Sequence, residues 1–160
     1  MNAANDRIGS YVEAIGARTP APASGSGAAV TGAIAAGLAE LAARFSDEDE
    51  TAERLVSLRA KLLELADADA DAYTDFMRTR SDADRDRTIE VPLAIAEAAA
   101  EVAATGRRLA REGNPNVSGD AEAAAELARA VARVGARLVE INLRGTDDER
   151  LTRARAAAVD

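Results

Sequence analysis

The segment from residue 28 to residue 45 constrains the fold more than any other part of this sequence. It is apolar on nearly every side of a helical projection, and Gly32 and Gly37 lie among its many alanines. A helix without a polar face has to be buried, and small side chains let neighbouring helices approach its backbone closely. We therefore predict a helix at the centre of a bundle or at a subunit interface.

Apolar residues elsewhere also recur with helical spacing, and no segment has the alternation that is typical of a strand. Further helices are predicted at residues 3–17, 46–80, 92–112, 120–142 and from 146 onward, with a short charged connection at 81–87. Pro92 either begins the fourth helix or kinks it. The prediction is an all-α antiparallel bundle of about five to six helices, forming a single domain over residues 1–160.

Serine and threonine residues precede several of these helices and are predicted to cap them. Ser24 or Ser26 is expected to cap the buried helix, because a hydroxyl accepts a hydrogen bond from an N–H group of the first turn. Ser46 is expected to cap the next long helix, since acidic residues follow it as the helix dipole prefers. Thr146 opens a capping box before the last helix.

Composition excludes several kinds of chemistry. The chain has no Cys and no His, which removes thiol nucleophiles, disulfides, Cys/His zinc sites and imidazole bases. Proton transfer is left to carboxylates, Lys61 and the two tyrosines. The formal net charge of −8 argues against a nucleic-acid partner, which would call for a basic face. No metal site is predicted.

Hydropathy and side-chain size bear on partners and location. No apolar run reaches bilayer length without interruption by charge, so we expect no membrane partner and a cytoplasmic location. Aromatic residues make up only 2% of the chain, so the core is built from Ala, Leu, Val and Ile. Small side chains bury little area each, which favours pairing with a second subunit.

A polar loop at residues 113–120 leads into the fifth predicted helix. Gly113 is predicted to end the preceding helix in the left-handed conformation. Four polar side chains cluster at the mouth of the next helix, where free N–H groups and the positive dipole end point outward; they are Asn114, Asn116, Ser118 and Asp120. Such a mouth binds an anion or a polar ring edge, or it is only a well-capped helix start.

A second polar feature is the alternation of aspartate and alanine over residues 67–73. The spacing imitates the start of a calcium loop, but the sixth position is Ala72 instead of Gly and the twelfth is Arg78 instead of Glu. On a helix, Asp69 lies on a different side from the other aspartates, toward Tyr73. Asp69 therefore either faces the interior or lies in solvent with the rest.

Five short motifs occur in a fixed order along the chain. They are Pro20-Ala21-Pro22-Ala23-Ser24-Gly25-Ser26, the acidic run that ends in Ala72-Tyr73, Val91-Pro92-Leu93, the loop from Gly113-Asn114 to Asp120, and Val139-Glu140-Ile141-Asn142-Leu143. Together they resemble the cyclodeaminase/cyclohydrolase family, which includes the cyclodeaminase part of formiminotransferase-cyclodeaminase and bacterial methenyltetrahydrofolate cyclohydrolases.

The resemblance implies a helical homodimer that binds a folate-type small molecule in a cleft between helices. The substrate is a tetrahydrofolate derivative, and no tightly bound cofactor is needed. The reaction is either loss of ammonia from 5-formimino-tetrahydrofolate to give the 5,10-methenyl form, or hydrolysis of that form to 10-formyl-tetrahydrofolate. The methenyl carbon is already electrophilic, so a carboxylate that holds a water suffices, and the lack of His and Cys is no obstacle.

Carried over by position, the resemblance makes Asp120 the leading acid–base candidate and Asp69 a second carboxylate. We expect Asp120 to face an inter-helix pocket close to the Ser-Gly turn near the N-terminus. The predicted substrate-binding residues are Ser24, Ser26, Asn114, Asn116, Ser118, Asn142 and Tyr73.

The chain also departs from the family pattern. Ala23 and Ser24 replace two glycines of the triple glycine, Leu138 occupies the place of an Asn, and the basic segment after the buried helix is missing. The alternative is therefore a repurposed member that acts on another small molecule or serves as a non-catalytic dimeric helical module.

Overall fold

The structure is a computed structural model that describes residues 7–159. Those residues form six helices: α1 (Ile8–Gly16), α2 (Ser24–Arg44), α3 (Asp49–Thr79), α4 (Asp82–Glu112), α5 (Ser118–Leu143) and α6 (Glu149–Ala157), with a 3-10 turn at Pro115–Val117 before α5. All regular structure in this part of the chain is helical, which confirms the predicted all-α bundle. Residues 3–6 of the first predicted helix lie outside the described residues.

Helix α2 lies at the centre of the bundle and packs against α3, α4 and α5. Its buried face consists almost entirely of alanine and glycine. The opposite face is exposed and carries Ile34, Leu41 and Phe45. Among the described helices, α2 alone has the length and mean hydropathy (1.4) of a membrane span, and half of that window is buried. The predicted buried helix is confirmed, although one of its faces stays exposed within residues 7–159.

The predicted serine caps of the second and third helices are wrong. Helix α2 begins after Ala23 without a side-chain cap, and Ser26 lies inside its first turn. Helix α3 begins after Glu48, also without a side-chain cap. The hydroxyl of Ser46 is occupied elsewhere, since it donates to the carbonyl of Ala42 at 2.8 Å and accepts the N–H of Asn114 at 2.9 Å.

Two other helix starts differ from the prediction. Asp148 caps α6 by accepting the N–H of Arg150, so the predicted cap at Thr146 is wrong. The charged connection at 81–87 is instead the beginning of α4, which Ser81 caps by accepting the N–H of Asp84 at 3.1 Å. Pro92 consequently lies inside α4 and does not begin it.

Gly113 ends α4 for a reason other than the predicted one. Its φ is −85°, outside the left-handed region. A Cβ at this position would lie 2.6 Å from the carbonyl oxygen of Leu109 and 2.7 Å from Oγ of Ser46. Glycine is needed here because the chain turns back against the last turn of α4, and the hydroxyl of Ser46, beyond the end of α2, lies almost as close.

Helices α4 and α5 are held together at two glycines. A Cβ on Gly106 would lie 3.0 Å from both the carbonyl oxygen of Ala121 and the nitrogen of Ala125, and one on Gly135 would lie 2.8 Å from the carbonyl oxygen of Pro92. These are backbone atoms, which cannot move aside as the end of a flexible side chain does. The two helices therefore approach each other to a distance that even alanine would not allow.

We expect Gly106→Ala to lower the free energy of unfolding by about 1–3 kcal/mol, because the added methyl group overpacks the α4–α5 contact. The matched control is Gly119→Ala in the first turn of α5, where a Cβ meets nothing within 4 Å. That change should be neutral or stabilising by about 0.5–1 kcal/mol, since alanine loses less conformational freedom than glycine. Urea unfolding measures both, and a Gly106→Ala protein as stable as wild type would contradict the close contact.

Candidate functional site

A pocket of about 260 Å³ opens between the start of α2 and the helices α3, α4 and α5. Its polar lining consists of Ser24, Asp69, Tyr73, Thr88 and Asn142. Its apolar lining includes the prolines at positions 20 and 92 and Leu138. Five side chains able to hydrogen-bond thus line one concave surface, as in sites that orient a small molecule.

Asp69 is held in this pocket by the first turn of α2. Its Oδ2 accepts the backbone N–H of Ser26 at 2.9 Å. The approach depends on Gly25, because a Cβ there would lie 2.2 Å from Oδ1 of Asp69. Burial raises the pKa of the Asp69 carboxyl, and the hydrogen bond from Ser26 lowers it in part. Asp69 therefore holds its proton more tightly than an exposed aspartate does.

The side chain of Ser26 is directed away from the pocket toward Tyr11 of α1. The two hydroxyl oxygens lie 2.6 Å apart, and the serine is only 1% exposed. Burial is the main reason that the pKa of Tyr11 is raised. Ser26 thus serves Asp69 through its backbone N–H, while its hydroxyl connects α2 to α1. Sequence reasoning missed Tyr11; the only signal was its place beside an apolar helical stripe.

Asn142, near the end of α5, lines the pocket and is hydrogen-bonded to α4. Its Nδ2 donates to the carbonyl oxygen of Thr88 at 2.6 Å. Leu138, one turn earlier on α5, also lines the pocket, although the resemblance places an Asn there. The polar lining is therefore smaller than the family pattern implies. Thr88 was not predicted as a site residue, because nothing in the sequence pairs it with the end of α5.

The remaining aspartates of α3 differ from Asp69. Asp71 is exposed, and Asp75 accepts hydrogen bonds from Arg78 at 3.1 Å and Arg87 at 2.9 Å. Within residues 7–159, no group of three or more carboxylates lies close enough together to hold a metal ion. Asp69 faces the interior, one of the two orientations left open by the sequence.

The predicted site residues fall into two groups. Asp69, Ser24, Tyr73 and Asn142 line the pocket, and Ser26 contributes its N–H. The other predicted residues lie near the start of α5, whereas Asn142 lies near its end. At about 1.5 Å per residue, the helix separates Asp120 from Asn142 by roughly 33 Å. Within one chain, the expectation that Asp120 lies close to the Ser-Gly turn is wrong.

The second group connects two helix ends. Nδ2 of Asn114 donates to the carbonyl of Phe45 at 2.8 Å, and Oδ1 accepts the N–H of Asn116 at 3.0 Å. The hydroxyl of Ser118 donates to the carbonyl of Pro115 at 3.1 Å. The loop therefore ties the end of α2 to the start of α5. The substrate-binding and acid–base roles given to this group by the resemblance stay predictions.

The raised pKa of Asp69 predicts a pH dependence of stability. The folded protein binds this proton more tightly than the unfolded chain, whose carboxyl has the ordinary pKa of 3.8, so stability falls as pH rises through the raised pKa. Asp69→Asn removes this loss and still accepts the N–H of Ser26 through Oδ1. The variant should gain stability relative to wild type as pH rises above 3.8, the ordinary pKa of the unfolded carboxyl.

Urea unfolding as a function of pH measures this gain, with Asp71→Asn as the control at an exposed carboxylate of the same helix. The control should run parallel to wild type in that range. A parallel curve for Asp69→Asn would contradict the buried, proton-retaining carboxyl.

Known proteins resemble this chain in sequence and in fold. Residues 7–160 match the family model described as formiminotransferase-cyclodeaminase. The formimidoyltransferase-cyclodeaminase of pig (Sus scrofa) is 34% identical over 143 residues, which cover 72% of this chain and 26% of the relative. The chain thus spans about a quarter of that relative's length. The crystal structure of formiminotetrahydrofolate cyclodeaminase from Thermotoga maritima superposes with a TM-score of 0.87 at 26% identity, covering 97% of this chain and 91% of that one. The chain belongs to the formiminotransferase-cyclodeaminase family.

Proposed function

We propose that this chain is a folate one-carbon enzyme, a cyclodeaminase that releases ammonia from 5-formimino-tetrahydrofolate and forms the 5,10-methenyl product. The observation that carries the proposal is Asp69, a carboxyl group with a raised pKa in a pocket formed by four of the family-like motifs. The similarity to a solved cyclodeaminase over almost the whole chain supports this reaction. Only the cyclodeaminase activity is proposed, since the match covers only 26% of the pig relative.

The reaction needs one proton to be moved. N10 of the folate adds to the protonated formimino carbon and loses its proton, and the departing nitrogen gains a proton and leaves as ammonia. The positive charge passes to the methenyl product, so atoms and charge balance. Asp69 as carboxylate accepts the proton from N10 and, as acid, gives it to the leaving amine. A group that both accepts and donates a proton works best when its pKa is near the ambient pH. The raised pKa of Asp69 therefore suits the two proton transfers better than the ordinary pKa of an aspartate would.

The rest of the pocket suits an orienting role. Ser24, Tyr73 and Asn142 surround Asp69 with neutral hydrogen-bonding groups, which hold a pterin ring without adding charge. The carboxylate also stabilises the cationic one-carbon bridge by proximity. No tightly bound cofactor is required, because the tetrahydrofolate derivative is the substrate and its own nitrogen is the nucleophile.

We expect Asp69→Asn to lower the rate of methenyl-tetrahydrofolate formation by about 10²–10⁴-fold, the usual contribution of a positioned acid–base group. Asp71→Asn, an exposed carboxylate of the same helix, should leave the rate unchanged. The assay follows the growing absorbance of methenyl-tetrahydrofolate from 5-formimino-tetrahydrofolate. If wild type instead consumes the methenyl compound, the cyclohydrolase reaction replaces the one proposed. Equal rates for Asp69→Asn and wild type would remove Asp69 from the mechanism.

We also propose that the protein is a homodimer formed through α1 and α2. The exposed face of α2 and the neighbouring stripe of α1 form one apolar surface, with Ile8 79%, Val12 60%, Ile34 52% and Phe45 59% exposed. A groove of about 430 Å³ runs between these helices and α3. Surfaces of this kind on a single chain mark a protein interface. A second copy is the proposed occupant, because the same apolar surface on both subunits can close on itself about a two-fold axis.

In the proposed dimer, the two α2 helices run antiparallel. The Phe45 end of one α2 then lies beside the Ser24 end of the other, and Asn114 binds the Phe45 carbonyl. The loop before α5 and Asp120 of the second subunit would thereby approach the pocket that contains Asp69. This arrangement reconciles the acid–base role predicted for Asp120 with its distance from Asp69 within one chain.

Mixing two inactive variants tests the shared site. Asp69→Asn and Asp120→Asn proteins should each be inactive alone, and exchange of subunits should restore about a quarter of wild-type activity, since half of the dimers would carry one intact site of two. Sedimentation confirms that dimers form. Full activity of Asp120→Asn alone, or no recovery on mixing, would contradict a site shared between subunits.

A further inference from the structure

Pro92 leaves a gap in the hydrogen bonding of α4. Proline has no backbone N–H, so the carbonyl of Thr88, four residues earlier, cannot receive the usual helical bond. Pro92 is buried in the middle of the helix, and the Thr88 carbonyl lies beside the pocket. A buried or half-buried carbonyl without a partner is costly, so another donor is expected to fill the gap.

Asn142 supplies that donor. Its side-chain nitrogen lies 2.6 Å from the oxygen of Thr88. A carbonyl oxygen only accepts hydrogen bonds, so the group of the Asn142 amide that faces it has to be the NH₂ group. The other end of the amide is then fixed as Oδ1, an acceptor. Because Thr88 and Asn142 both line the pocket, this acceptor belongs to the binding surface.

The position of α5 keeps the two groups in register. Gly135 packs on α4 so closely that a Cβ would lie 2.8 Å from the Pro92 carbonyl oxygen. Asn142 lies two turns beyond that contact on α5, and Thr88 lies one turn before Pro92 on α4. Since the two helices are antiparallel, these steps lead to the same end of the bundle. The contact at Gly135 thus fixes the position of α5 along α4, and with it the level at which the side chain of Asn142 meets the carbonyl of Thr88.

We propose that Pro92 is a positioning residue that fixes Asn142 as a hydrogen-bond acceptor, so that Asn142 selects a ligand with an N–H donor edge. A 2-amino-4-oxo pyrimidine edge, as in a pterin ring, presents such donors. The identity of the ligand rests on the proposed folate function, whereas the coupling of Pro92, Thr88 and Asn142 does not. The ring of Pro92 forms part of the apolar lining of the pocket. Pro92 affects the recognition of polar ligand groups indirectly, because it leaves the Thr88 carbonyl free to accept the bond from Asn142.

Pro92→Ala tests the coupling because alanine restores the N–H that Thr88 lacks. The helical bond re-forms and competes with Asn142, whose amide becomes free to rotate. We expect the melting temperature to stay the same or rise, while the dissociation constant for tetrahydrofolate, measured by titration calorimetry, rises about three- to tenfold, the loss of one hydrogen bond. The control is Pro20→Ala, which removes the same ring from the same pocket without restoring a helical bond. Its dissociation constant should rise less than that of Pro92→Ala, and an equal rise in both variants would overturn the coupling.

A second measurement needs no ligand. In NMR spectra of the free protein, exchange of the Asn142 side-chain NH₂ protons should be slowed in wild type and in Pro20→Ala, and fast in Pro92→Ala. Equal protection in Pro92→Ala and wild type would overturn the proposal. If wild type shows slowed exchange but does not bind tetrahydrofolate, the proposed function fails and the positioning role stands.

Asn142→Asp covers the case in which Pro92→Ala does not fold. Aspartate keeps the size and the acceptor of asparagine, but as carboxylate it cannot donate to Thr88. If positioning matters, tetrahydrofolate affinity falls by at least as much as expected for Pro92→Ala. Wild-type affinity in Asn142→Asp would overturn the proposal, because an acceptor without the bond to Thr88 would then suffice.

Discussion

The carboxyl group of Asp69 reaches the first turn of α2 because position 25 has no side chain. That contact brings together residues 43 positions apart and gives the pocket its one carboxyl group with a raised pKa. Burial works against the charged form, while the N–H of Ser26 and the positive end of the helix favour it. The balance leaves a carboxyl that keeps its proton to a higher pH than a fully exposed or a salt-bridged aspartate does. Asp75, held by two arginines, illustrates the other outcome, since its pKa is lowered by them.

In helix α2, small residues allow both close packing of the neighbouring helices and the approach of the Asp69 carboxyl group. On its buried face, alanine and glycine let α3, α4 and α5 approach, and at its start they admit a carboxyl group. Side chains this small bury little area each, so the core gains stability from close packing of many contacts more than from a few large residues. On the other face, the larger side chains of Ile34 and Phe45 stay exposed. The second subunit that we propose would cover this exposed face of α2.

The sequence could predict the helices and the buried position of α2, because these follow from periodicity and composition. For the same reason it could single out Asp69 as an aspartate that either faces the interior or lies in solvent. The predicted serine caps of α2 and α3 were wrong for the same reason. Ser26 and Ser46 are good capping residues by local rules, but each is used in a tertiary contact, with Tyr11 and with Asn114 respectively. The distance between Asp120 and Asp69 was missed for another reason. Motifs that resemble a family's site indicate which residues belong to it, but they carry no information about whether one chain or two supplies them.

Several locally unfavourable features meet at this one pocket. A proline interrupts α4, a carboxyl group is partly buried, and glycine stands at the first turn of α2, where it is weaker as a helix former. Each lowers stability considered alone, and each places a polar atom at the pocket: Thr88 with Asn142, and Ser26 with Asp69. Elsewhere in the bundle Gly106 serves packing, and polar groups lie in ordinary ion pairs and caps. Departures from local preference that converge on one cavity are typical of a functional site, because natural proteins give up stability where chemistry needs it.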